Sequence, residues 1–286
     1  MYYSMGGKVS SAENLSEIAS YISSKIGFTL DKEIGKGGFK QTFKVITKDG
    51  SFGALKIYNS SVISERTERE ISSMNRCAHD GIAKINTIDK IAFNSNEYLY
   101  LIEEYIGGGT LTNRLAQGIM NSTELICFGN QMIDIIEYIS GLGLVHRDIK
   151  PDNILFRDEG TRVVITDFGI VRGLSEISLT PTFLPSAPGT HGYAAPEQEN
   201  NMKPHENWRT DQFSCGIVLS LCGLGIHPFG SSQLEAYKAI SSFGDTTSVF
   251  KESIISSDYS AIQKMVEVWP VNRFRLIKDL RLAWNS

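Results

Sequence analysis

The spacing of apolar residues divides this chain in two. Strand-like patterns prevail up to about residue 104, and helical spacing prevails beyond about residue 110. Ahead of the strands, Leu15, Ile18, Ala19, Ile22 and Ile26 recur on one helical face, and Ser10 with Glu13 offers a capping box before them. Residues 1–9 carry no pattern. The apolar face either docks a regulatory partner or packs on the chain's own first lobe. The general behaviour of amphipathic helices favours the second reading.

Phe28–Ile34, Thr42–Thr47 and Phe52–Tyr58 read as three antiparallel strands, with a hairpin turn at Lys48-Asp49-Gly50. Ser64–Cys77 reads as a helix and Tyr98–Glu104 as a strand. Ile106-Gly107-Gly108-Gly109 reads as a flexible connector. Helices are expected over Glu124–Leu142, Trp208–Leu224, Leu234–Ser242 and Tyr259–Trp269. The expected fold class is α+β: a small antiparallel sheet lobe with one helix, then a larger, mainly helical lobe. The expected divisions are an extension with a helix at 1–27, a first lobe at 28–104, a hinge at 105–109 and a second lobe at 110–286.

Composition narrows the class. With 286 residues and 41% hydrophobic residues the chain can bury a sizeable core. A net charge of −4 argues against a nucleic-acid surface. Cys77, Cys127, Cys215 and Cys222 form no CxxC pair, so neither a zinc framework nor a disulfide scaffold is expected. Such usage fits a reducing compartment. No targeting segment stands out, and Phe213–Ile226 is too short and glycine-rich to span a bilayer comfortably. A cytoplasmic protein without a membrane partner is expected.

The chemistry concentrates in His146-Arg147-Asp148-Ile149-Lys150-Pro151-Asp152-Asn153-Ile154. A carboxylate, an ammonium and a carboxamide fall at short fixed offsets, the trio that phosphoryl transfer uses to orient a hydroxyl, cover a phosphoryl group and hold a metal ion. Asp167-Phe168-Gly169 and Ala195-Pro196-Glu197 follow in order. With these motifs the chain resembles eukaryotic-type serine/threonine protein kinases, with a bacterial flavour in Asp-Phe-Gly-Ile-Val-Arg and Ala-Pro-Glu-Gln. The resemblance spans roughly 28–282 and implies the bilobal protein-kinase fold, with ATP and Mg2+ (or Mn2+) as cofactors and a protein as substrate.

The resemblance also distributes roles. Asp148 and Lys150 are the catalytic pair, and Asn153 and Asp167 hold metal. Lys56, in Ala54-Leu55-Lys56, contacts phosphates and pairs with a glutamate, best matched by Glu70, with Glu68 an alternative. Ile34, Gly35, Gly37 and Thr42 flank the phosphates. Glu104 and Ile106 meet the adenine edge through their backbones, between Ala54 and Leu155. Thr190 bridges Asp148 and Lys150. His146, Phe168, Met74 and Ile85 form a stacked column, Asp211 anchors the catalytic loop, and Glu197 pairs with Arg273. Arg147 implies a phosphorylated residue in 167–197, with Thr180 and Thr182 foremost among the hydroxyls.

Three positions depart from the pattern, the first being Thr42, where a valine is usual. Lys40 replaces a glycine and either lends charge near the phosphates or points to solvent. Glu103 puts a carboxylate at the back of the nucleotide pocket, where it must pair with Lys56 or with ordered water. These departures leave room for a catalytically silent scaffold of the same fold. The full set Lys56, Glu70, Asp148, Asn153 and Asp167 argues against it. A small-molecule kinase of the aminoglycoside type is the other rival, and Lys150, Thr190 and Ala195-Pro196-Glu197 argue against that.

Overall fold

Five strands early in the chain build one sheet. In the computed structural model, which describes residues 15–37, 40–58, 77–157, 161–168 and 192–286, they are β1 (Thr29–Lys36), β2 (Lys40–Ile46), β3 (Phe52–Tyr58), β4 (Ile85–Phe93) and β5 (Asn96–Glu104). They pair antiparallel in the order β1-β2-β3-β5-β4. β4 was not expected from the sequence. A register shift between Ile85 and Thr87 breaks its alternation, which blurs the period-two signal. Asn94 and Ser95 close its hairpin with β5 at φ 47° and 66°, the left-handed pair that a two-residue turn requires.

Register sorts the sheet's side chains between its faces. Phe43 faces Leu55 and Leu55 faces Ile102, while Ile57 faces Tyr100. These residues form a core with Leu15, Ile18, Ala19 and Ile22 of helix α1 (Leu15–Ile26). The apolar stripe of α1 is therefore buried on its own sheet. Thr42 faces Lys56, Lys56 faces Leu101 and Ala54 faces Glu103. By the pleat's alternation these lie on the face opposite α1. The sheet and α1 form one compact unit, which ends at Tyr105.

The second unit holds Cys77–Lys84 and the described residues from Ile106 onward. Its helices are α2 (Leu111–Leu115), α3 (Ser122–Gly141), α4 (Pro196–Glu199), α5 (Trp208–Leu224), α6 (Gln233–Ser241), α7 (Ser248–Ile255), α8 (Ser260–Met265) and α9 (Ile277–Trp284). A hairpin of β6 (Ile154–Arg157) and β7 (Arg162–Ile165) accompanies them. Asn121 and Glu124 cap α3 reciprocally, and Gly225 ends α5 at φ 67°.

Most of α5 is buried, from Thr210 to Ser220 and again at Cys222, as befits a helix at the centre of its unit. Cys215 and Cys222 are free thiols in that interior, and burial pushes Cys222 up to about 12. The α9 helix lies on α3, where Gly129 leaves room for Trp284: a Cβ there would sit 2.2 Å from the indole. Trp284 also donates to the Ile126 carbonyl, 3.2 Å away.

The expected glycine connector is tied down. Gly108 donates to the Phe156 carbonyl and Phe156 to that of Gly109, both at 3.0 Å, and Ile106 packs with Ala83 and Val164. The helix expected over Tyr259–Trp269 shortens to α8, and α7 and α9 were not expected. Residues 64–76 of the expected Ser64–Cys77 helix, with the Ser10–Glu13 box, lie outside the described residues. Among the described residues no helix is long and apolar enough to cross a membrane.

Candidate active site

The loop carrying Asp148 is fastened from beneath by a helix. Asp211, in the first turn of α5 and 1% exposed, accepts from the backbone N–H groups of His146 and Arg147, both at 2.8 Å. Burial pushes its carboxyl up to about 7, opposed by those two N–H groups. Arg147 has φ 67°, a left-handed value that residues other than glycine rarely adopt and that surrounding contacts must hold in place. Gln198 of α4 supplies one more, donating to the Arg147 carbonyl at 3.0 Å.

His146 is a girder of the loop. Its Nδ1 accepts from the Asp148 N–H at 3.2 Å, and its Nε2 lies 3.2 Å from the Thr166 carbonyl. That pattern fixes a neutral ring protonated at Nε2. Complete burial pushes it down to about 4, so it stays neutral near pH 7. Its ring centroid is 4.6 Å from that of Phe168, joining two members of the expected column. Met74 lies outside the described residues, and Ile85 belongs to the other unit.

The Asp148 carboxylate is gripped by the two residues expected to work with it. Lys150 Nζ lies 3.1 and 2.9 Å from its two oxygens. Asn153 Nδ2 donates to Asp148 Oδ2 at 2.7 Å and to the Asp148 carbonyl at 2.8 Å. A 3-10 turn at Pro151–Asn153 brings the amide back toward the aspartate. Thr112 steadies that turn, its hydroxyl donating to Asp152 at 2.6 Å. Thr112 and Gln198 carry roles that the sequence reading missed. The position of Gln198 directly after Ala195-Pro196-Glu197 was the available signal.

The donor chemistry suits a hard divalent cation. Both Nδ2 hydrogens of Asn153 are spent on Asp148, which leaves its carbonyl oxygen as the end that can meet a metal. Asp167, at φ 63°, adds a carboxylate. Among the described residues no group of three or more His, Cys, Asp or Glu could hold a metal. Mg2+ is commonly bound by one or two protein oxygens and completed by phosphates and water.

In the sheet unit, Lys56 (4% exposed) and Glu103 (5%) are both buried, with Lys56 Nζ 2.5 Å from Glu103 Oε2. Of the two partners expected for Glu103, the structure shows Lys56. Glu70 lies outside the described residues, as do Glu68, Thr180, Thr182 and Thr190. Ala54 is buried on the face that carries Lys56, and Glu104 is paired with Gly53. Gly35 is paired with Thr42, Gly37 donates to the Lys40 carbonyl at 2.9 Å, and Ile34 is exposed on β1. Lys40 opens β2 opposite Tyr58. Ile106 and Leu155 come together in the helical unit with Ala83 and Val164.

Two further ion pairs bound the site. Glu197 and Arg273 are wholly interior, with Nη1–Oε1 at 2.7 Å and Nη2–Oε2 at 2.9 Å. Arg147 Nε lies 2.9 Å from Glu206 Oε2, a contact of charges rather than an aligned hydrogen bond. Nothing in the sequence marked Glu206.

Residues 28–280 match the protein kinase domain family. A carbon catabolite-derepressing protein kinase of Candida glabrata is 31% identical over 284 residues, covering 93% of this chain and 44% of that protein. CBL-interacting serine/threonine-protein kinase 15 of Arabidopsis thaliana is 26% identical over 264 residues, covering 90% and 60%. A probable serine/threonine-protein kinase of Clostridium perfringens is 29% identical over 256 residues, covering 86% and 36%. The chain spans about half the length of the curated relatives it matches.

Proposed function

The chain belongs to the protein kinase domain family, and from that premise we propose that it is a protein-serine/threonine kinase using ATP. The observation that carries this is the Asp148 carboxylate, held by Lys150 and Asn153 on a loop anchored to α5. Asp148 orients the acceptor hydroxyl and takes its proton as the new O–P bond forms. The bond from the γ-phosphorus to the bridging oxygen breaks, and ADP leaves with that electron pair. Lys150, beside the carboxylate, offsets charge on the group in transit.

Asn153 and Asp167 are the residues that would hold Mg2+, which when bound neutralises phosphate charge. In the sheet unit Lys56 takes phosphate oxygens, with Glu70 as a partner. Ile34, Gly35, Gly37 and Thr42 flank the phosphates. Ala54 and the Glu104 backbone take the base there, and Ile106 and Leu155 do so in the helical unit. Arg147 supports autophosphorylation within 167–197, with Thr180 and Thr182 the foremost acceptors. The thiol usage supports a cytoplasmic setting.

The test is transfer from ATP labelled at the γ-phosphate to a generic basic protein, with acid hydrolysis of the product and a magnesium titration. Label in phosphoserine and phosphothreonine, abolished by chelation, is expected. Label only in phosphotyrosine, or transfer that survives chelation, would overturn this reading. Peptide mapping of the kinase itself then shows whether label enters 167–197.

A further inference from the structure

Glu103 occupies a place where a carboxylate is expensive. It is buried, on a strand paired on both sides, β3 at Ala54 and β4 at Ile85. A buried ion pair is weak evidence for stability, because apolar residues of similar volume often serve as well. Its geometry is more telling. Lys56 stands directly opposite Leu101, and Glu103 stands opposite Ala54. The contact is therefore diagonal, one pleat along the strand, within reach of long side chains. It fixes the ammonium on the sheet face that carries Thr42 and Ala54, assigned above to the phosphates and the base.

We infer that Glu103 is a positioning residue for phosphoryl transfer: from within the sheet it holds Lys56 where the ammonium meets phosphate oxygens of the nucleotide. This rests on the proposed function and specifies how its lysine is placed. The ammonium has three N–H donors, so a contact with one carboxylate is compatible with contacts to phosphate. The backbone that carries the carboxylate is fixed by strand pairing on both sides. Lys56 is thus oriented by a strand of its own sheet, whatever further contacts it makes.

The competing account is that Glu103 merely occupies the lysine and repels phosphate. The two accounts predict opposite results for Glu103→Gln, which keeps the shape and removes the charge. Positioning predicts a fall in kcat/KM for ATP of about a hundredfold, the scale of a misplacement of about an ångström. It also predicts weaker binding of Mg·ATP with unchanged binding of adenosine, which has no phosphates. Tighter Mg·ATP binding, or equal loss for adenosine and ATP, would overturn the inference, the latter by showing a general distortion of the pocket.

Glu103→Asp guards against a variant that does not fold. It keeps the charge and shortens the reach, so ATP binding should fall less than in Glu103→Gln, again with adenosine unaffected. Equality of Glu103→Asp with wild type in both ligands would also count against positioning. A wild-type protein that binds ATP better than adenosine but transfers no phosphate would sink the functional reading. The binding comparison would still decide the role of Glu103.

Discussion

Replacing Arg273 by Met removes a buried and multiply bonded charge of the helical unit. Arg273 is 2% exposed, and its guanidinium makes two bonds to Glu197. It makes three more to the carbonyls of Arg209, Glu267 and Val268, at 2.9, 2.7 and 3.1 Å. Its face also lies 4.7 Å from the Phe213 ring centroid. Burial pushes its pKa below the usual arginine value, and Glu197 opposes that shift. Removing one member of a buried pair typically costs about 3–5 kcal/mol, because the other charge is left without compensation. Three orphaned carbonyls place Arg273→Met at the upper end, about 5 kcal/mol.

That loss rivals the whole stability of a marginal domain, about 5–15 kcal/mol. The three tryptophans, Trp208, Trp269 and Trp284, all belong to the helical unit, so their fluorescence in urea reports that unit. With a slope of about 2.5 kcal/mol/M, the midpoint should fall by roughly 2 M. The double variant Glu197→Leu/Arg273→Met should recover at least about 1 kcal/mol of the loss, since no charge is then stranded. A loss below about 1 kcal/mol for the single variant, or a double variant as unstable as the sum of the two singles, would refute this reasoning.

Three other outcomes follow from the same structure. Asp148→Ala should lower phosphate transfer by about a hundredfold or more, equivalent to roughly 3 kcal/mol, while the urea midpoint changes little; near wild-type turnover would remove Asp148 from the chemistry. His146 is held down from 6.5 to about 4 by burial, so its contribution to stability is present above pH 6.5 and is lost as pH falls through 4. Over that range wild type should lose about 3 kcal/mol more than His146→Gln in urea titrations, and parallel pH profiles would contradict the neutral buried ring. Gly129→Ala forces a methyl against Trp284 and should cost about 1–3 kcal/mol, seen as a lower melting temperature; an unchanged one would show that α9 can move away freely.

The clustering of Asp148, Lys150 and Asn153 was legible in sequence because it is local. Asp148, Lys150 and Asn153 lie within six consecutive positions, and a short loop with a 3-10 turn can bring them together in few ways. Long-range anchors became visible only with the fold. Gln198, Thr112 and Glu206 act across 40 to 59 residues of chain, through hydrogen bonds or charge that no spacing encodes. β4 escaped because a bulge spoiled its alternation. At the glycines of 107–109 the fold adds backbone pairing to β6 that composition does not show. Glu103 was legible as an anomaly, and the register of β3 and β5 supplies its partner.

The most direct test of the central claim compares wild type with Asp167→Ala, using ATP labelled at the γ-phosphate, magnesium, and both the protein itself and a generic basic protein as acceptors. The account predicts label on protein hydroxyls with wild type and at least about a hundredfold less with Asp167→Ala. Equal labelling by the two proteins, or none by wild type under conditions where it binds Mg·ATP, would contradict it.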